Sequence, residues 1–222
     1  MLDWLRRLWT ASIGKKFWMA VTGILLIAFL LVHLSGNLLL YADSSGAAFD
    51  AYVHWLESNP LLPVAEIGLL LLFVAHIAMA LRVTAENRDA RRHGYRVRAS
   101  KGARTLASSS MAVTGVVLLV FLVVHVVDFR VGKELSVNDG RSLYSLVRER
   151  LASPVGVSIY LAGTVVLALH LRHGFRSAMQ SLGWNHPNVN PLWTRLGWLL
   201  SIAIAVGFAS FPIYFWLRGD AP

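Results

Sequence analysis

Four histidines stand one inside each of the first four long apolar stretches of this chain: His33, His76, His125 and His170. An unpaired polar group in hydrocarbon is costly, so each intramembrane imidazole marks a candidate functional site. One alone could simply donate to a carbonyl of a neighbouring helix. Four, one per stretch in a repeated pattern, point to a shared chemistry. The first and third stretches are near copies: Val21-Thr22-Gly23, Phe29-Leu30 and Val32-His33 return as Val113-Thr114-Gly115, Phe121-Leu122 and Val124-His125 at one constant offset. The second and fourth share His-x5-Arg, as His76 with Arg82 and His170 with Arg176. A two-helix unit carrying two buried histidines therefore occurs twice. Imidazoles facing each other in pairs across a helix bundle suit the two axial positions of a haem iron. Zinc would want a third or fourth protein ligand at the same level, and the sequence offers none.

The elements that must position these residues are membrane spans. Hydrophobic residues make up 56% of the chain, and apolar runs of about 20 residues recur, each long enough to cross a ~30 Å hydrocarbon core. The expected fold is an all-α membrane protein, one domain over residues 1–222, with five transmembrane helices at about 17–41, 62–83, 106–131, 155–171 and 195–216. The first four form a four-helix bundle built from the duplicated two-helix unit. Depth then pairs the ligands. His33 lies about eight residues before the outer end of its span, ~12 Å at 1.5 Å per residue, and the repeat puts His125 at the same level. His76 and His170 each lie one to two turns from the inner ends of theirs. The expectation is an outer haem on His33 and His125 and an inner haem on His76 and His170, which act as the metal ligands.

Lys and Arg set the orientation. Arg6, Arg7, Lys15 and Lys16 precede the first span, and Arg82, Arg88, Arg91, Arg92, Arg96, Arg98, Lys101 and Arg104 follow the second. No Lys or Arg lies between Tyr41 and Leu81, so the positive-inside rule makes the amino terminus and the Arg-rich loop cytoplasmic. The outer loop from Asp128 to Ser153 fits less well, since it holds five basic residues against four acids. Residues 1–16 read as a cytoplasmic interfacial segment, with Trp4, Leu5, Leu8 and Trp9 set against Arg6 and Arg7. The first apolar run is too long for a signal-peptide core. The net charge of +9 is topogenic and suggests no nucleic-acid partner, while anionic lipid or an acidic protein surface could use it. There is no cysteine, which excludes iron–sulfur ligation, covalent haem attachment and disulfides in this chain.

Other residues could serve the same site. Gly23, Gly68, Gly115 and Gly163 could let a flat macrocycle approach a helix, or could simply pack helices. Arg82, Arg172 and Arg176 lie about one turn inward of the inner histidines, where they could meet haem propionates or snorkel to the interface. His54, His93, His173 and His186 read as exposed or interfacial. On the outer side, Tyr41, His54, Glu57 and Glu66 are the polar groups near the first two spans. The alternative for Glu66 is an anion favoured by the dipole of its helix's first turn.

With these residues in place, the chain resembles the cytochrome b subunit of bacterial succinate dehydrogenases and fumarate reductases of the single-anchor, five-helix, di-haem type. The resemblance rests on Gly-Lys-Lys-Phe at 14–17, Val-His-Leu-x-Gly-Asn at 32–37, one histidine in each of the first four spans, and His-x-x-His-Gly-Phe-Arg at 170–176. It implies two b haems, with His76 and His170 nearer the iron–sulfur subunit and His33 and His125 distal. It also implies a quinone, often menaquinone, near the outer face, with Glu57, Glu66 and His54 as protonation candidates. The implied partners are an iron–sulfur subunit and a flavoprotein on the cytoplasmic face of a bacterial inner membrane, with a higher oligomer of the complex open. The fifth span would pack at the side or contribute to the quinone pocket. Two rivals stand beside this reading. One is the di-haem subunit of a hydrogenase, formate dehydrogenase or nitrate reductase, which a molybdenum or nickel partner would reveal. The other is a transporter with proton-relaying histidines, against which count the lack of paired intramembrane carboxylates and of broken helices.

Overall fold

The computed structural model describes residues 11–89, 106–136 and 140–219, and among these every regular element is helical. The main part of the amino-terminal interfacial segment (residues 1–10) and most of the Arg-rich loop (residues 90–105, with His93) lie outside the described residues. The elements are α1 (Ser12–Asn37, extended by a 3-10 turn Leu38–Tyr41), α2 (Ala47–Glu57), α3 (Leu62–Asp89), α4 (Leu106–His125), α5 (Gly132–Ser136), α6 (Leu143–Ala152), α7 (Pro154–Ser181) and α8 (Asn190–Leu217). A π-helical turn, Val126–Val131, joins α4 to α5 without a break. Five of these helices are long and apolar enough to cross a membrane: α1, α3, α4 with its continuation, α7 and α8. The protein is an integral membrane protein.

The helices outrun the spans expected from hydropathy, most of all α7, which continues to Ser181 rather than stopping at Leu171. Hydropathy measures which residues tolerate lipid, whereas helicity continues wherever good helix formers follow; Arg172, Arg176, Met179 and Gln180 supply them. The starts of α6 and α7 are capped by side chains. Ser153 accepts a hydrogen bond from the Gly156 amide at 3.0 Å with Pro154 next in line, and Ser142 accepts from Ser145 at 3.2 Å ahead of α6, the usual chemistry of a helix start.

The principal contacts run α3 to α1, α1 to α7, α7 to α4, and α8 against α7 and α1. In that arrangement α1 and α4 are diagonal partners, as are α3 and α7. Large apolar side chains such as Leu70, Leu71, Val74, Val116, Val120 and Val123 point outward, where lipid rather than water receives them. The most deeply buried cluster sits at the outer end. There Leu40, Phe49, Tyr144, Val147, Leu151, Ala152, Tyr160, Phe211 and Phe215 pack together, so α2 and α6 close the outer mouth of the bundle.

Asp43 sets the start of α2. Its carboxylate accepts from the amides of Ala47 at 3.0 Å and Ala48 at 2.9 Å and from the Ser45 hydroxyl at 2.6 Å, while Gly46 takes the left-handed conformation that the turn needs (φ 78°). The Ser45 hydroxyl first, and then the Ala48 amide, push the Asp43 carboxyl down to about 2. A folded value below that of an unfolded aspartate, ~3.9, means support that is complete above that value and lost as pH falls through about 2. Asp43→Ala is therefore expected to speed amide hydrogen exchange through residues 47–57 at neutral pH. Unchanged exchange there would remove the capping role.

Candidate functional site

Each outer histidine is backed by its own helix. A Phe-x3-His spacing puts the phenylalanine ring one turn below the imidazole, as side chains four apart share a helix face. Phe29 stacks on His33 with centroids 5.4 Å apart and planes at 16°, and Phe121 lies 6.1 Å from His125. This explains why Phe29 and Phe121 belong to the repeat. Across the bundle diagonal the His33 and His125 rings face each other at 5.7 Å between centroids, with planes at 87°. Phe208 of α8 closes the His33 side at 5.8 Å, while Phe129 at 5.3 Å and Tyr160 at 6.1 Å close the His125 side.

The inner pair uses the other diagonal, His76 on α3 and His170 on α7. Each is held by the helix beside it: Thr22 Oγ1 lies 3.1 Å from His76 Nδ1, and Thr114 Oγ1 lies 3.1 Å from His170 Nδ1. The glycine after each threonine makes room for the ring. A Cβ at Gly23 would stand 3.3 Å from His76 Cε1, and one at Gly115 would stand 3.6 Å from His170 Cε1. The repeated Val-Thr-Gly is thus a seat for the inner histidines. Because Thr22 and His33 share α1 three turns apart, the two levels are separated by about 16 Å along the helix axis.

Two imidazoles per level are the whole donor set, since no group of three or more His, Cys, Asp and Glu side chains converges among the described residues. With metal–imidazole bonds of about 2 Å and ring centres about 1 Å further out, two trans imidazoles on one ion place their centroids about 6 Å apart. His33 and His125, at 5.7 Å, match that spacing. The donor set fits a haem iron, whose four equatorial positions are filled by the macrocycle.

The remaining sequence candidates are distributed as follows. Glu57 is paired with Lys133, and Glu66 with Arg130, whose Nε lies 3.1 Å from Glu66 Oε1. Arg130 also binds Glu134, and His54 is exposed on α2. Arg172 lies over the Trp198 ring at 3.8 Å, a cation–π contact. Arg82 and Arg176 are exposed at the inner ends of α3 and α7. Tyr41 donates to or accepts from Ser210 at 2.6 Å in an apolar recess of about 420 Å³ lined by Tyr41, Val206, Ala209, Ser210, Ile213 and Tyr214.

One constellation lies outside the sequence candidates. Asp128, in the π-helical turn just past His125, accepts from Arg150 Nε at 2.8 Å and from Tyr160 Oη at 2.9 Å. Its signal in the sequence was slight: an acid one turn beyond a buried histidine, where the first unit has Gly36. π-Turns of this kind often mark functional sites.

The description "Succinate dehydrogenase/Fumarate reductase transmembrane subunit" belongs to a family model that matches residues 84–211, more than half of the chain. The chain belongs to that family. The matched region of this succinate dehydrogenase/fumarate reductase transmembrane subunit runs from the inner end of α3 into α8, and so holds His125, His170 and Thr114. The first unit, with His33, His76 and Thr22, precedes it and is tied to it by the internal repeat. No curated protein and no solved structure matches the chain. Membership makes the protein the membrane subunit of a succinate dehydrogenase or fumarate reductase complex, and sets aside the hydrogenase, formate dehydrogenase, nitrate reductase and transporter readings.

Proposed function

We propose that the chain is the di-haem cytochrome b anchor of its complex, passing electrons between an iron–sulfur subunit on the cytoplasmic face and a quinone near the outer face. The observation that supports this reading is that His33 and His125 face each other across one diagonal of the bundle, while His76 and His170 stand on the two helices of the other diagonal. A haem held by each histidine pair would supply one-electron transfer. The work of the chain's own residues is to hold the ligand pairs and keep water away from them. The outer aromatic cluster seals the upper pair, and Lys15, paired with Glu86, ties α1 to α3 at the inner end below the lower pair.

The quinone, of menaquinone type, is assigned to the outer side. The shallow, open recess at Tyr41 and Ser210 has a mostly apolar wall with two hydroxyls at one point, which supports placing the quinone there. Glu57, Glu66 and His54 are the candidates for exchanging protons with a quinone oxygen. Glu57 and Glu66 would do so by opening their pairs with Lys133 and Arg130. Arg82, Arg172 and Arg176 remain the candidates for propionate contacts, Arg172 from its place on Trp198. The Arg-rich stretch of sequence that follows α3, on the cytoplasmic side of a bacterial inner membrane with the amino terminus inside, is the candidate for docking the iron–sulfur and flavoprotein subunits.

A dithionite-reduced minus oxidised spectrum of the purified chain, with haem counted as the pyridine haemochrome, tests the reading. The expected result is two b haems per chain. A folded preparation without haem would discard it.

A further inference from the structure

We infer that Thr22 and Thr114 are positioning residues that fix the tautomer and rotation of the inner histidines and thereby tune the inner redox site. The inference rests on the haem reading above. A threonine hydroxyl has one hydrogen to give. Thr22 Oγ1 lies 2.8 Å from the Trp18 carbonyl and 3.1 Å from that of Met19, and Thr114 Oγ1 lies 3.1 Å from the Met111 carbonyl. A carbonyl can only accept, so in these contacts the hydroxyl gives its hydrogen to the threonine's own helix. With the hydrogen placed there, we assign the contact to histidine the direction Nδ1–H to hydroxyl oxygen. A neutral imidazole with its hydrogen on Nδ1 keeps its lone pair on Nε2, the nitrogen left for iron.

Three further observations make this a built arrangement. Thr22 is 7% and Thr114 8% exposed, so water does not compete for either hydroxyl. Gly23 and Gly115 admit the Cε1 edge of the rings that the threonines hold, so two consecutive residues locate each ring. The same device appears in both units, although each threonine and its histidine lie on different helices, 54 and 56 residues apart. The outer pair is seated differently, with the rings of Phe29 and Phe208 packed on His33 and those of Phe121, Phe129 and Tyr160 packed on His125.

A hydrogen bond accepted from Nδ1–H raises the basicity of the ligating nitrogen and favours the oxidised iron. Thr22→Val and Thr114→Val keep the shape and remove the acceptor. The test is a redox titration of the intact complex, followed at the haem bands, on wild type, both Val variants and both Thr→Ser variants. His170→Ala and His125→Ala assign the bands to inner and outer sites. Each Val variant is expected to raise the inner midpoint potential, up to a tenfold change in the reduced-to-oxidised ratio, which is 59 mV for a one-electron couple. The outer midpoint stays in place and the Ser variants titrate like wild type. Loss of the inner haem alone in a Val variant, with retention in the Ser variant, supports the same conclusion. An inner midpoint unmoved in both Val variants, a shift or loss shared by both haems, or Ser variants that behave like Val would overturn it. Wild-type protein without haem would overturn the haem reading and this inference together, whereas two haems with an insensitive inner potential would overturn this inference alone.

Discussion

His170→Ala is expected to halve the haem content of the chain and to abolish electron transfer from succinate to quinone. The alanine leaves a lone imidazole, His76, at the inner level, and no third donor stands among the described residues to replace the lost one. Because the lost ligand pair spans the diagonal between α3 and α7, which are not among the principal helix contacts, assembly should weaken as well. The pairing itself is open to a double-mutant cycle, since residues that act as a unit are not additive. His33→Ala combined with His125→Ala should cost no more haem than either alone, and so should His76→Ala with His170→Ala. A cross-pair double, His33→Ala with His170→Ala, should lose both haems. Haemochrome counts on the purified variants decide the matter. A His170→Ala protein that kept two bis-histidine haems, or a within-pair double that lost both, would sink the pairing.

Much of this arrangement was legible in the sequence because a histidine among valines and leucines stands out. The repeat of Phe29 to His33 in Phe121 to His125 announced two matched units, and counting residues from the span ends separated the outer and inner levels. What hydropathy could not register lay at the helix ends and outside the apolar runs. Helix α7 outlasts its apolar stretch because Arg172 and Arg176 favour helix as well as they favour the interface. Helices α2 and α6 read as loop because they are short and polar on one side, yet Phe49, Tyr144, Val147 and Leu151 from them enter a buried cluster with Leu40, Tyr160, Phe211 and Phe215. The role of Val-Thr-Gly was hidden for another reason. Its threonine serves a histidine on a neighbouring helix, and a single sequence does not tell which helices are neighbours. The same holds for Asp128, whose partners Arg150 and Tyr160 come from α6 and α7.

The four candidate glycines Gly23, Gly68, Gly115 and Gly163 divide by what surrounds them, and the sharpest case among them gives the second large effect. A Cβ at Gly163 would stand 2.5 Å from Cδ2 and Cε2 of Phe121, inside any tolerable contact. Phe121 has little freedom to yield, because its ring is backed by Tyr160 at 5.4 Å and His125 at 6.1 Å. Gly163→Val is therefore expected to push Phe121 into the outer histidine pair and to part α4 from α7. Overpacking of this kind costs about 1–3 kcal/mol, and here the cost falls beside a ligand. The predicted result is loss or broadening of the outer haem band and a lower Tm, with the inner band preserved. Gly115→Val, whose neighbour is His170, should disturb the inner band instead. Gly68→Val is the control, since nothing lies within 4 Å of a Cβ there, and both bands should survive it. Spectra of the three variants beside wild type separate the cases. An unaltered outer band in a well-folded Gly163→Val protein would mean that Phe121 does not brace His125.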